Sequence, residues 1–194
     1  HEYFGSKHAM FRCYAPQIRT LQSDFNVIAM AQSGQIDNHS ETLFSYIKTD
    51  DYDRMPIKDI VEVVNKLKPD IIYYPSVGMR IWVAMLANLR FAPIQIAALG
   101  HPATTYSNEI DYMMVGSQEG DVEKIYTETL LKTPFYFEIE SHPEQSKYLE
   151  GIRAEKHSKH DQLTHIAINS KVMKLSSRLI AICEKLNEEF PDLL

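Results

Sequence analysis

The stretch that decides the fold is residues 67–111, LKPDIIYYPSVGMRIWVAMLANLRFAPIQIAALGHPATTYSNEID. The short apolar run Asp70–Tyr74 predicts a strand that is buried on both faces. Met79–Phe91 is apolar on most sides and has no internal Pro or Gly, so it predicts a buried helix. Pro93 ends that helix, and Ile94–Leu99 predicts the next strand. The segment therefore predicts a βαβ unit with two parallel strands.

Two loops follow the predicted strands of this unit. Pro75–Met79 comes after the first strand, and Gly100–Ser107 comes after the second, where Gly100 and Pro102 break the strand. In open parallel sheets, ligands bind at the carboxyl ends of the strands. We therefore expect both loops to lie at the functional edge of the sheet.

Composition limits the class of protein. The chain has 194 residues, of which 44% are apolar and 24% are charged, as in ordinary globular proteins. Its net charge of −6 argues against a nucleic-acid surface and against anionic membranes. No apolar run approaches the roughly 20 residues of a membrane helix, and no signal peptide is visible. Because Cys13 and Cys183 form no CxxC pair, we expect reduced thiols in a cytoplasmic protein.

The rest of the first half continues the alternation of strands and helices. A strand tail is expected at His1–Ser6, and the start at His1 suggests that the native N-terminus is missing. The further predicted elements are a helix from near His8 with Phe11, Tyr14, Ile18 and Leu21 on one face, a strand at Phe25–Ala31, a helix with Ile57, Ile60, Val61, Val64 and Leu67 on its apolar face, and a strand at Ile110–Val115. The pattern at Tyr126–Leu131 fits either a helical turn or a short strand.

A change in composition marks a domain boundary. We predict a Rossmann-like domain at residues 1–136, an interdomain linker at 137–162, and the start of a second α/β domain at 163–194. A strand is expected at Thr164–Asn169, followed by a helix that Ser176 or Ser177 caps, with Leu179, Ile180, Cys183 and Leu186 on its buried face. The histidines at 157, 160 and 165 have HxxH spacing, but no Cys lies nearby and Lys surrounds them, so no metal site is predicted.

Four segments resemble those of one enzyme family. Leu89–Thr105, with APIQ followed by LGHPATT, is similar to a segment of the bacterial cytoplasmic N-glycosyltransferases that modify high-molecular-weight adhesins. Asp70–Met79 (DIIYYPSVGM), Lys7–Tyr14 (KHAMFRCY) and Ile166–Leu175 (IAINSKVMKL) resemble further segments in the same order. That family belongs with the O-linked N-acetylglucosamine transferases and their SPINDLY-like relatives, so the chain is identified as a fragment of such a protein.

The resemblance implies a fold and a reaction. The fold would be of the GT-B type, in which two Rossmann-like domains face each other across a cleft. Such enzymes transfer a hexose from a UDP-sugar to a protein, with inversion and usually without a bound metal or other cofactor. A helix N-terminus and basic side chains can stabilise the departing diphosphate in place of a metal ion. The acceptor would be Asn, or Ser or Thr, of a protein such as an adhesin.

The same resemblance nominates site residues. His8 would be the catalytic histidine, either as a base or as a hydrogen-bond donor. From the residues alone, His8 lies in a turn before a helix N-terminus, where anions often bind. In the LGHPATT loop, Gly100, His101, Thr104 and Thr105 would bind the sugar or the donor phosphate. Ser76, Met79 and His39 are candidates for the acceptor side, and no residue is assigned to a metal.

Two functions from different classes compete at this point. The first is the protein glycosyltransferase, of which this chain alone would transfer little because the nucleotide-binding lysine of the family is expected beyond Leu194. The second is a non-catalytic adaptor with a GT-B-like fold that binds a substrate protein or a partner transferase. Retention of His8 and of the whole LGHPATT loop favours the enzyme.

Overall fold

The computed structural model describes residues 3–117, 122–133, 146–148, 150–151 and 175–190. Its contacts divide the chain into two compact units, His1–His142 and Pro143–Leu194. The strands that the described residues form all lie in the first unit. No helix in the described ranges has the length and apolar character that crossing a membrane requires.

The first unit is built on parallel strands, as the βαβ pattern predicts. One two-stranded sheet pairs β1 with β2, and a four-stranded sheet has the order β3-β4-β5-β6; every pairing is parallel. The strands are β1 (Ile28–Gln32), β2 (Tyr46–Asp50), β3 (Ile71–Tyr74), β4 (Ile94–Ala98), β5 (Tyr112–Gly116) and β6 (Thr129–Thr133). The sequence pattern at 126–131 fits either a helical turn or a strand, and the structure has a strand there from Thr129 onward.

Four α-helices accompany these strands in the described part of the first unit, and a short 3-10 helix lies at Val122–Lys124. They are α1 (Ala9–Leu21), α2 (Asn38–Glu41), α3 (Ile57–Leu67) and α4 (Ile81–Leu86). The predicted helix after His8 is confirmed as α1, which buries Phe11, Tyr14 and Ile18 and contains Pro16. The predicted helix at Ile57 is confirmed as α3 and buries Ile60 and Val64.

Three stretches before α3 differ from the prediction. The described part of His1–Ser6, from Tyr3 onward, is not a strand; it contacts a loop instead, through the Phe4 amide, which donates to Gln35 O at 3.1 Å. Strand β1 begins at Ile28, three residues later than predicted. Strand β2 was not predicted, because its sequence YIKTD mixes charged and apolar residues, and parallel pairing along β1 supplies the backbone hydrogen bonds that stabilise it.

The helix in the central βαβ unit is shorter than Met79–Phe91 and is not buried on all sides. Trp82, Val83 and Leu86 are buried, but Ile81 is 77% exposed and Met85 is 49% exposed. A helix that is apolar all round is usually buried. Here only one face of α4 packs against the domain, and the other is left uncovered within the described residues. Strand β3 is likewise only partly buried, with Ile71 39% exposed.

The four-stranded sheet carries apolar side chains on both faces. Ala97 and Met113 belong to a core with α3 and α4, whereas Ala98 and Met114 belong to a core with α1. Adjacent residues of a strand point to opposite faces, so β4 and β5 each supply both cores. Coverage on both faces is typical of parallel sheets and places α1 beside the ends of β3 and β4.

The turn between α4 and β4 is held by a buried side-chain amide, that of Gln95. Its side chain is fully buried and donates to the carbonyl oxygens of Leu89 at 3.1 Å and Glu109 at 2.7 Å. Its Oε1 accepts from the Phe91 amide at 3.1 Å. Gln95 is the last residue of the APIQ motif, so that motif has a structural role in joining the two loops that flank β4.

The second unit contains one long described helix, α5 (Ser177–Glu189). Ser176 caps it, as predicted, by accepting from the Leu179 amide at 3.2 Å. The expectation of a buried face is wrong for the described residues: Leu179, Cys183 and Leu186 are half-buried, and Ile180 is 48% exposed. The predicted strand at 164–169, the histidines at 157, 160 and 165, and nearly all of the predicted linker lie outside the described residues.

Replacing the buried Gln95 by Leu is expected to lower the free energy of unfolding by about 3 kcal/mol, because three backbone groups would lose their hydrogen-bond partner. Gln22→Leu, at an exposed amide, should change it by less than about 0.5 kcal/mol. Urea unfolding followed by circular dichroism measures both. Equal losses in the two variants would show that the Gln95 network does not stabilise the turn.

Candidate active site

The two loops predicted to share one edge of the sheet do meet there. The Gly100 amide, just after β4, donates to the carbonyl oxygen of Pro75, just after β3, at 2.9 Å. Both loops therefore leave from the carboxyl ends of adjacent parallel strands, where open α/β sheets bind ligands.

Gly100 marks the tightest contact at this edge. A Cβ at that position would lie 2.6 Å from Cβ of Ser76, and it would be closer still to Pro75 O and to Cε of Met10. Real Cβ atoms do not approach other atoms so closely, so no residue with a side chain fits without displacing its neighbours. Because Met10 belongs to the first turn of α1, three segments meet at Gly100: the N-terminus of α1 and the two strand-end loops.

His8 is the N-cap residue of α1. Its Nδ1 accepts a hydrogen bond from the Met10 amide at 3.2 Å, and its ring stacks on that of Tyr3 with centroids 5.2 Å apart and planes inclined by 19°. The side chain is exposed. A neutral imidazole that accepts at Nδ1 carries its proton on Nε2, so the capping bond also selects the tautomer.

The segment before His8 is held by Asp37. The Asp37 Oδ2 accepts from the amide of Ser6 at 2.7 Å and from its hydroxyl at 2.8 Å, and Oδ1 accepts from the Ser40 amide at 3.0 Å. Burial tends to raise the pKa of Asp37, but the hydrogen bonds from Ser40 and Ser6 outweigh it and lower the pKa to about 2. Asp37 thus stays ionised at neutral pH and joins the turn of His8 to helix α2.

The three acceptor-side candidates occupy different environments. Ser76 is buried at the contact with Gly100, whereas Met79 is 53% exposed. His39 is exposed in the short helix α2, and its ring centroid lies 5.5 Å from that of Phe11 in α1. His39 and His8 therefore lie near the same end of α1, while the acceptor role of all three candidates stays a prediction.

His101 extends from the loop after β4 and is exposed. Its imidazole lies over Gly78, whose φ of +115° is in the region that favours glycine; a Cβ on Gly78 would be 3.8 Å from Nδ1 of His101. The imidazole of His101 and the exposed Met79 side chain thus flank one short stretch of backbone.

Thr104 and Thr105 both donate their hydroxyl hydrogens to one carboxylate, Glu128. Thr104 Oγ1 lies 2.8 Å from Glu128 Oε2, and the Thr105 amide donates to Oε1 at 2.7 Å. The Thr105 hydroxyl makes a further short hydrogen bond to Oε1. The two hydroxyls were predicted to hold the sugar or the β-phosphate; here they fix the loop to the start of β6, and donor binding by them stays a prediction.

The sequence did not indicate Glu128 as a residue of the site. It is a buried carboxylate, 7% exposed, in the stretch whose secondary structure the sequence left open. Burial would raise its pKa, but the hydrogen bonds from Thr105 and Thr104 dominate and lower it. No local pattern marks this residue, because its partners are more than twenty positions earlier in the chain.

No group of three or more His, Cys, Asp or Glu side chains in the described ranges is arranged to hold a metal ion. Two carboxylates between β2 and α3 contact side chains of the chain itself: Asp51 accepts from the Gln32 side chain at 2.8 Å, and Asp53 pairs with Arg80. The expectation of a metal-independent reaction therefore stays a prediction.

Comparison with known proteins finds two related sequences. Two curated proteins of Actinobacillus pleuropneumoniae, from serotypes 5b and 7, are each named UDP-glucose:protein N-beta-glucosyltransferase, and each is 30% identical to this chain over 181 residues. Those residues cover 90% of this chain. The chain is related to the bacterial protein N-glycosyltransferases. The family resemblance predicted from the motifs is confirmed.

The relationship extends over part of these relatives. This chain spans 28% of the length of each curated protein that it matches. No protein-family model matches the chain. Among solved structures, a mutant O-GlcNAc transferase of Thermobaculum terrenum superposes with a TM-score of 0.70 at 15% identity, covering 99% of this chain and 37% of that one. The predicted GT-B type fold is therefore confirmed.

Gly100→Ala is expected to lower the free energy of unfolding by about 2–3 kcal/mol, because the new methyl group must push apart three packed segments. Gly5→Ala is the matched control: its Cβ would meet Asp37 Oδ2 at an ordinary 3.5 Å, and the loss should stay below about 1 kcal/mol. Chemical unfolding measures both. A Gly100→Ala protein as stable as the control would contradict the tight contact.

Glu128→Gln is expected to lower the free energy of unfolding by about 1–3 kcal/mol at pH 7. Because the pKa of Glu128 is lower in the folded chain, its contribution is complete above the unfolded value of about 4.3 and is lost as the pH falls through the folded value. The difference between the wild type and the variant should therefore shrink below pH 4. A difference that grows on acidification would be inconsistent with an ionised, hydrogen-bonded Glu128.

Proposed function

We propose that this chain forms the acceptor-side Rossmann-like domain of a protein glycosyltransferase. The reaction is transfer of a hexose from a UDP-sugar to an asparagine of a protein, with Ser or Thr as the alternative acceptor, with inversion and without a metal ion. The single observation that carries the proposal is the 30% identity, over 90% of the chain, to proteins named UDP-glucose:protein N-beta-glucosyltransferase. The arrangement of His8, Gly100 and His101 around one sheet edge supports it.

His8 acts in this proposal as a hydrogen-bond donor. Its Nδ1 caps α1, so the neutral ring bears its proton on Nε2. A donor at Nε2 suits an oxygen that gains negative charge, either on the departing diphosphate or on the acceptor. Action as a base at Nδ1 would instead require the capping bond to break.

The loop after β4 supplies the donor side of the site. Gly100 brings the backbone of β4 against Pro75, and His101 extends outward from this contact. Glu128 holds Thr104 and Thr105 so that the loop has a fixed shape before the donor binds. A prearranged loop binds a diphosphate sugar without the entropy cost of ordering it.

The adaptor hypothesis is not favoured. Both curated relatives carry transferase names. The LGHPATT loop is also held in place by hydrogen bonds to the buried carboxylate of Glu128. An adaptor would require neither His8 nor this loop to be arranged at the sheet edge.

The test is transfer of labelled glucose, galactose or N-acetylglucosamine from the UDP-sugar to an Asn-x-Thr peptide, with EDTA present. The full-length gene product that carries this sequence is compared with His8→Ala and His8→Asn. Asparagine caps helices well, so His8→Asn keeps the cap and removes the imidazole. Both variants should lose about 100-fold or more in transfer rate, and His8→Asn should keep the melting temperature of the wild type.

Each part of the proposal has its own contrary outcome. Full transfer by His8→Asn would remove the imidazole from the reaction and leave His8 a helix cap. Loss of transfer in EDTA that magnesium restores would reject metal independence. If no UDP-sugar binds and no peptide is modified, the transferase function itself fails.

A further inference from the structure

We propose that Tyr3 and Arg80 are positioning residues for His8. They orient the imidazole through a stack of planar groups that the ion pair with Asp53 holds in place. The inference deepens the proposed function and rests on it, because a positioning residue for His8 matters only if His8 takes part in transfer.

The first step is the contact between Tyr3 and His8. The two rings are nearly parallel, with planes 19° apart and centroids separated by 5.2 Å. His8 is exposed at the start of α1, whereas Tyr3 is half-buried. An aromatic ring stacked on one face of the exposed imidazole restricts the tilt of that imidazole.

The second step is the contact between Arg80 and Tyr3. The Cζ atom of Arg80 lies 4.5 Å from the centroid of the Tyr3 ring, which is the geometry of a cation–π interaction. The Arg80 side chain is only 18% exposed. A guanidinium group stacks on an aromatic face better than an ammonium group does, because it is planar and weakly hydrated.

The third step is the pairing that holds Arg80. Its Nη1 makes a short ion pair with Oδ2 of Asp53, which lies between β2 and α3. Asp53 is itself fixed, since its amide donates to the Gln32 side chain at 3.0 Å. Arg80 is also the N-cap residue of α4, immediately after Gly78 and Met79. The stack therefore connects His8 to both the β2–α3 and the β3–α4 connections.

The arrangement has a consequence for transfer. A hydrogen-bond donor must lie within a few tenths of an ångström of the developing charge, and a small misplacement lowers the rate strongly. The stack of Tyr3 and Arg80 gives the His8 ring a surface that is anchored in the loop carrying Met79. Orientation of His8 is thereby coupled to the loop on the proposed acceptor side.

The experiment compares matched pairs in the full-length gene product that carries this sequence. Tyr3→Phe keeps the aromatic face and Tyr3→Leu removes it; Arg80→Lys keeps a charge without the planar group, and Arg80→Met removes the charge. Two quantities are measured: the transfer rate from UDP-glucose to an Asn-x-Thr peptide, and the carbon-13 resonance of the His8 ring at Cε1, assigned by its absence in His8→Asn.

Tyr3→Leu should lower kcat about tenfold with little change in the KM for UDP-glucose, and it should move the His8 resonance as the ring current of Tyr3 is lost. Tyr3→Phe should keep kcat within about twofold of the wild type and leave the His8 resonance unchanged. Arg80→Met should lower kcat as much as Tyr3→Leu does, and Arg80→Lys should give a kcat between those of Arg80→Met and the wild type.

Two results would overturn the positioning role. One is an unmoved His8 resonance in Tyr3→Leu. The other is a moved resonance with wild-type kcat, in an enzyme that His8→Asn inactivates. Failure of the proposed function is recognised separately: His8→Asn then retains full transfer, or the wild type has none, whatever the resonance of His8 does.

Discussion

The absence of a side chain at Gly100 is the constraint on which the candidate site depends. Strand β4 ends where its backbone touches Pro75 and Ser76 of the neighbouring loop and Met10 of α1. One added carbon atom would separate all three segments. Because His8, Ser76 and His101 each belong to one of these segments, their mutual positions follow from that single close approach.

A second layer of polar contacts holds the loops that leave this point. Glu128 binds Thr104 and Thr105, Asp37 binds Ser6, and Gln95 joins the turns on either side of β4. Each is a polar side chain whose hydrogen bonds are made inside the protein, and an unpaired group in such a place costs free energy. The site is therefore supported by partners that do not themselves face it.

The motif LGHPATT illustrates how the structure divides a sequence motif by role. Its glycine makes a close backbone contact, His101 is exposed beside Gly78, and its two threonines direct their hydroxyls to Glu128. The residues that face outward and those that hold the loop alternate within a few positions. A motif can thus identify a family while only some of its side chains are available to a substrate.

The sequence by itself determined the parallel α/β class, the βαβ unit and helices α1 and α3, because the periodic spacing of apolar residues and the breaks at Pro and Gly are local signals. It also indicated the resemblance to the N-glycosyltransferases, through motifs in a fixed order. Only the tertiary structure decided that α4 exposes Ile81, that YIKTD forms β2, that Glu128 binds Thr104 and Thr105, and that Tyr3 stacks on His8. These features join residues from different segments of the chain, and the free energy that selects them arises from contacts that no local pattern contains.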